Sequence, residues 1–115
     1  ELGYAYYLAG NYRQSAATYE PLVDYPEAND QTFSMLGNAL DMAGERKRAL
    51  DVYYDGIKRF PKSGKLNVEL GTMALIDGDS KTAMACYLRA VKVAPDYTPG
   101  FYRTAMLLFN SDVEL

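Results

Sequence analysis

The chain repeats itself every 34 residues, and that interval decides most of what it can fold into. Gly3, Gly37 and Gly71 keep it, as do Gly10, Gly44 and Gly78, and Tyr19, Tyr53 and Tyr87. Leu2, Leu36 and Leu70 form another column, Ser15, Ala49 and Ala83 a small-residue one, and Leu22, Gly56 and Ala90 a looser one. Pro61 and Pro95 close two units at the same spacing, with Pro26 one residue early in the first. Self-similarity at a single period means one supersecondary unit used several times, each burying its apolar face only against a neighbour.

Residues 30–43, 47–59, 64–77 and 81–93 carry apolar side chains every three or four positions, which predicts helices. Ala43-Gly44-Glu45 and Asp77-Gly78-Asp79 mark sharp turns between them, because Gly44 and Gly78 can adopt the positive φ that ends a helix. Ser80 is placed to cap the helix after the second turn. Connections this short force neighbouring helices to run antiparallel. Gly71 and Ala83 then lie where small side chains let two backbones approach, with Tyr53 and Tyr87 filling the adjacent space. Lys62-Ser63-Gly64 links two units, Asp96 or Thr98 caps a last apolar helix from residue 98 to about 110, and Pro99 suits its first turn.

On these residues each unit resembles a tetratricopeptide repeat. The likeness rests on Leu36-Gly37, Leu40, Gly44, Ala49, Tyr53 and Pro61 in one unit, and on Leu70-Gly71, Ala74, Gly78, Ala83, Tyr87, Ala90 and Pro95 in the next. The first unit adds Leu2-Gly3, Tyr6, Gly10, Ser15 and Tyr19. Departures fall at Asn67, where the pattern has a large aromatic such as Phe33, and at Ala74, where Tyr6 is aromatic. The resemblance implies an all-α fold, a right-handed superhelical stack of antiparallel hairpins forming an α-α solenoid. Units are expected at about 1–28, 29–62 and 63–96, with a partial fourth unit over 97–115, together making one repeat domain. A start without Met and a half unit at the other end predict a segment cut from a longer array.

The resemblance also implies a binding scaffold for a protein or peptide, held on the concave face formed by the first helices. From the first unit that places Tyr4, Tyr7 and Leu8 on the face. The second unit adds Gln31, Ser34, Met35, Asn38, Asp41 and Met42, and the third Lys65, Val68, Glu69 and Thr72. The last helix contributes Tyr102, Arg103 and Met106. Aromatic and Met side chains give contact area there, while Asn38 and Arg103 give direction. Some family members clamp the terminal carboxylate of chaperone tails with paired basic residues and several Asn. Here Asn38 and Arg103 fit one register of that clamp, but Ser34, Glu69 and Pro99 fall at its other positions, and Glu69 would repel a carboxylate.

Other chemistries find little support. There is no His, which removes histidine-based nucleophilic triads and metal sites, and Cys86 is the only cysteine, which precludes an intrachain disulfide. Cys86, beside Ala85 and Tyr87, reads as an inert thiol. Asp77-Gly78-Asp79-Ser80 opens like a calcium loop but runs on into a helix instead of further ligands. Asp51 and Asp55 share a helix face among Arg48, Lys58 and Arg59 and read as surface ion pairs. No catalytic residue and no cofactor is expected, so the chain reads as not an enzyme. A net charge of −3 names no nucleic acid or membrane partner. The basic group of Arg46, Lys47, Arg48, Lys58, Arg59, Lys62 and Lys65 is the main argument for nucleic acid, but most of it falls at the start and end of a second helix, on the outer surface, with no stacking platform. No apolar run approaches the ~20 residues of a membrane span. A rival role is structural, with self-association through the apolar last helix.

Overall fold

The computed structural model describes residues 1–112, and these are all-α with no strand among them. The helices are α1 (Leu2–Leu8), α2 (Tyr12–Tyr19), α3 (Asp30–Met42), α4 (Arg46–Arg59), α5 (Gly64–Ile76), α6 (Ser80–Val93) and α7 (Thr98–Asp112), with a 3-10 turn over Glu20–Asp24. They fall into two compact units, Glu1–Phe60 and Pro61–Leu115. In the first, the hairpins α1/α2 and α3/α4 pack through α2 and α3. In the second, α7 lies against both helices of the hairpin α5/α6. Residues 113–115, which close the expected fourth unit, lie outside the described residues.

The three hairpin turns share one geometry. Gly10, Gly44 and Gly78 have φ of +83°, +86° and +86°, and a side chain is disfavoured in that conformation. In the turn after α3, Gly44 N–H donates to the Asp41 carbonyl at 3.0 Å and Glu45 N–H to Leu40 at 2.8 Å. The same two bonds recur after α5, from Gly78 to Leu75 and from Asp79 to Ala74. This crossed pair is the Schellman arrangement, which satisfies the last carbonyls of the helix while reversing the chain. The cap of α6 differs from expectation: Asp79 supplies it, its carboxylate accepting from Thr82 N–H at 3.1 Å, and Ser80 is the first helical residue. The glycine at 78 ends one helix two residues earlier than Ser80, so the next helix begins as soon as Asp79 can cap it.

Within each hairpin a glycine serves as the seat for a tyrosine ring. A Cβ on Gly3 would lie 2.7 Å from the Tyr19 ring, one on Gly37 2.6 Å from Tyr53 Cζ, and one on Gly71 2.7 Å from Tyr87 Cε1. All three rings are buried. The small column beside them is fully buried too, and Ser15 satisfies its hydroxyl by donating to the Gly3 carbonyl at 2.7 Å. Each phenol then reaches out of the core to an acceptor on the first helix. Tyr53 donates to Asn38 Oδ1 at 2.5 Å, Tyr87 shares a 2.9 Å bond with Thr72 Oγ1, and Tyr19 donates to Glu1 at 2.6 Å. Asn38 and Thr72 each follow the seat glycine, where α1 has Tyr4, so the first hairpin draws on Glu1 instead.

Three departures from the repeat have local causes. Pro21 occupies the column of Asp55 and Arg89, both inside helices; lacking an N–H, it ends α2 early and turns the following residues into the 3-10 segment. Asn67 is buried where Phe33 stands in α3, and its amide donates to the Ser63 carbonyl at 2.8 Å while Ser63 Oγ caps Leu66 N–H at 3.1 Å. A short polar side chain at that site thus fixes the entry of α5 instead of filling volume. Arg59 donates to the Val23 and Tyr25 carbonyls at 2.8 and 3.0 Å and lies 5.4 Å from the Phe60 ring centroid, which ties the 3-10 turn and the residue after it to the end of α4. Its column partner is Val93, which has no guanidinium to make such a clasp.

Candidate functional site

The second unit contains a depression of about 620 Å³ between α5, α6 and α7. Three of the side chains singled out by sequence, Tyr102, Arg103 and Met106, form one wall. They sit on two turns of α7, whose adjoining face buries Gly100, Thr104 and Leu107. Thr104 turns its hydroxyl to the Gly100 carbonyl at 2.7 Å, so this buried polar group holds the helix without reaching the depression. Leu75, Tyr87 and Leu107 supply the apolar floor, and Asn110 and Ser80 stand at the edges. Tyr102 is 65% and Met106 44% exposed, which leaves a wall of ring and thioether open to solvent.

Sequence reasoning missed Leu75, Leu107 and Asn110. Leu75 lies one turn beyond Thr72 and Asn110 one turn beyond Met106, so following the same helical faces further would have found both. Leu107 is buried between exposed Met106 and Leu108 and was hidden by the nearly continuous apolar run of α7.

The other candidates on α5 have different surroundings. Lys65 and Glu69 are half-buried, and Thr72 is engaged with Tyr87. In the first unit, Tyr4 and Met35 line a second depression of about 430 Å³, together with Gln31 and Leu22. Met35 is only 8% exposed, so it offers an edge and spends most of its surface on packing. Asn38 accepts the Tyr53 phenol, and Tyr7 stands edge-on to Tyr12 with ring centroids 5.3 Å apart. Of the remaining expected groove residues, Ser34 and Val68 are buried, Asp41 is half-buried and paired with Arg46 at 3.0 Å, and Leu8 and Met42 are exposed.

The three arginines of the basic group are engaged within the fold. Arg46 pairs with Asp41; Arg48 pairs with both Glu20 and Glu45, which hold its guanidinium pKa above the ordinary value; Arg59 is spent on carbonyls. Asp51 and Asp55, expected to make surface ion pairs, are exposed, and among the described residues neither carries one. The arginines turn to acids near the helix ends, within reach of their long side chains, so the mid-helix carboxylates stay solvated. Cys86 is half-buried at the α5/α6 contact, where burial pushes its thiol pKa up and so lowers its reactivity. Among the described residues no group of three or more His, Cys, Asp or Glu side chains is arranged to hold a metal ion, and no helix is long and apolar enough to cross a membrane.

No protein-family model matches the chain, and no curated protein matches it. Solved structures do match in shape. The type III secretion translocator chaperone SycD of Yersinia enterocolitica superposes with a TM-score of 0.83 at 17% identity, over 98% of this chain and 88% of that one. The same chaperone in complex with a peptide of the translocator YopD gives 0.82 at 17% identity, again over 98% and 88%. PcrH, a protein of Pseudomonas aeruginosa, bound to the chaperone binding region of PopB gives 0.76 at 20% identity, over 92% of this chain and 86% of that one. At such identities the likeness is one of fold: the chain has the all-α, tetratricopeptide-like fold of these chaperones.

Proposed function

We propose that the chain is a non-catalytic scaffold that binds a peptide segment of a partner protein, and that its 34-residue units are tetratricopeptide repeats with α7 as the first helix of a fourth. One observation carries the reading: Tyr102, Arg103 and Met106 stand together on the wall of an open, mainly apolar depression. Large rigid or polarisable side chains at a concave surface, with one directing charge among them, are what peptide recognition requires. SycD holds a YopD peptide and PcrH the PopB region on the same fold. The glycine seats and Schellman turns favour the repeat assignment, because they are what fixes the columns of Gly, Tyr and small residues. Selection from a displayed library of short peptides, followed by NMR mapping of a selected peptide, tests the function. Saturable shifts centred on Tyr102 and Met106 support it; peptides that perturb only the outer helix α4 would overturn it.

A structural role through self-association is the second reading, and α7 favours it. Phe101 and Leu108 occupy the columns of Phe33 and Leu40, which α3 buries under α4, yet they are 49% and 48% exposed. Phe109 is exposed beside them. Sedimentation over a wide concentration range decides: a monomer throughout removes this reading and leaves the first intact.

A further inference from the structure

We infer that the depression in the second unit selects an extended peptide in which a large apolar side chain stands two residues from an Asp or Glu, the acid pairing with Arg103; this rests on the peptide-binding reading above. The floor formed by Leu75, Leu107 and the edge of Tyr87 is apolar, and its volume of about 620 Å³ admits a Leu or Phe side chain with adjoining backbone. Tyr87 lines the depression while its phenol is engaged by Thr72 at 2.9 Å. An apolar anchor fits there.

Arg103 supplies the polar half of the specificity. Arg46 and Arg48 are each neutralised by a carboxylate, whereas among the described residues no acid pairs with exposed Arg103. Its column runs Glu1, Met35, Glu69 and then Arg103, so a positive charge appears only at this repeat and packing does not ask for it. A guanidinium beside apolar surface favours a carboxylate, which it meets with two parallel hydrogen bonds. Arg103 and Met106 are one helical turn apart, about 5–6 Å between Cβ atoms. Side chains two residues apart in an extended peptide emerge on one face about 7 Å apart, close enough for the flexible guanidinium to bridge. Adjacent residues would point to opposite faces. Asn110, one turn beyond Met106, can both donate to and accept from the backbone of the bound segment.

The test uses labelled twelve-residue peptides rich in Ser and Gly, acetylated and amidated, followed by fluorescence anisotropy. They carry Phe-x-Glu, Phe-x-Gln or Ser-x-Glu at the centre, and a fourth carries Phe-x-Gln with a free terminal carboxylate. Phe-x-Glu is expected to bind tightest, by about tenfold over the others, with an affinity that falls as salt rises. Arg103→Gln abolishes the preference for Glu over Gln with an unchanged far-UV spectrum, and Arg103→Glu shifts it toward Phe-x-Lys. Equal binding of Phe-x-Glu and Phe-x-Gln to the wild type overturns this inference while leaving the peptide-binding reading standing. So does a Glu preference that survives Arg103→Gln, or tightest binding by the free-carboxylate peptide. Binding of none of the four overturns both.

Discussion

Gly37→Ala is the sharpest test of the glycine seat, because two physical effects of similar size pull in opposite directions. Gly37 is in the interior of α3, where replacing Gly by Ala ordinarily gains about 1 kcal/mol of helix propensity. The new Cβ, however, would stand 2.6 Å from Tyr53 Cζ, against an ordinary carbon contact of about 3.5–4.0 Å. The ring has to withdraw by roughly 1 Å. It is only 2% exposed and its hydroxyl is held by Asn38 at 2.5 Å, so it has little room to move. Overpacking costs about 1–3 kcal/mol, and stretching the phenol bond adds roughly another 1 kcal/mol. The net expectation is a loss of about 1–3 kcal/mol after the propensity gain. Urea unfolding followed by far-UV circular dichroism reads it as a lower midpoint at unchanged slope. Gly100→Ala is the control: its nearest neighbour, Ala90 Cβ, would be 3.3 Å away, so the propensity gain is expected to offset any contact cost. Tyr53→Leu should reduce the cost of Gly37→Ala by at least about 1 kcal/mol, since the two sites are in contact. A midpoint that rises on Gly37→Ala would refute the seat outright.

Other perturbations probe other parts of the fold. Gly71→Leu should cost on the order of 1–3 kcal/mol or more by urea unfolding, because Tyr87 and Cys86 both stand within 3.1 Å of the new Cβ. Asp79→Ala removes the α6 cap and lowers the thermal midpoint at neutral pH. Because the Thr82 side-chain and backbone hydrogen bonds lower the Asp79 pKa in the fold, that contribution is present above the ordinary carboxylate pKa and is lost as pH falls through the folded value. The wild-type and variant midpoints should therefore converge in acid, and a difference independent of pH would rule this out. Arg59→Ala releases the loop around Val23–Tyr25 and removes the ring contact, costing about 1 kcal/mol, with faster amide exchange confined to that loop as the check. Burial, and then the hydrogen bond to Glu1, raise the Tyr19 pKa. Its contribution to stability is full below about pH 10 and is lost as pH rises through the folded value. Tyr19→Phe should flatten part of that alkaline loss in pH-dependent unfolding.

Much of the fold was legible because the forces that set it are local or periodic. The expected helices at 30–43, 47–59, 64–77 and 81–93 each agree with the observed ends to within one residue, since Gly44 and Gly78 stop one helix and a three-residue turn starts the next. The unusual end of α2 was less visible: Pro21 announces the break, but the column Leu22, Gly56 and Ala90 masks it by continuing the helical pattern. The ties across longer separations escaped the reading. Arg59 reaching back to Val23, and Arg48 to Glu20, depend on which rotamers two helix ends allow, and no spacing encodes that. Side chains that the resemblance places on a binding face have mixed surroundings in the structure, because one position can serve both uses. Asn38 and Thr72 belong to the expected binding face, yet each is already engaged by a tyrosine hydroxyl from its own hairpin.

That double use suggests how to separate binding from folding in a repeat chain. A residue that keeps its column in every unit is explained by packing, as Gly37 and Tyr53 are, and it cannot also vary with the ligand. Residues that break their column divide by what they touch. Pro21 breaks helix α2, Asn67 fixes the start of α5, and Arg59 clasps a loop, so each departure is absorbed by the fold. Arg103 also breaks its column, but it is exposed beside apolar floor and none of the described acids compensates it. An exposed guanidinium without an acidic partner adds little to stability, which would be served as well by Gln. If that holds, Arg103→Gln leaves the urea midpoint within about 0.5 kcal/mol of wild type while changing peptide selectivity. A midpoint shifted by more would place Arg103 with the structural departures and remove it from the binding surface.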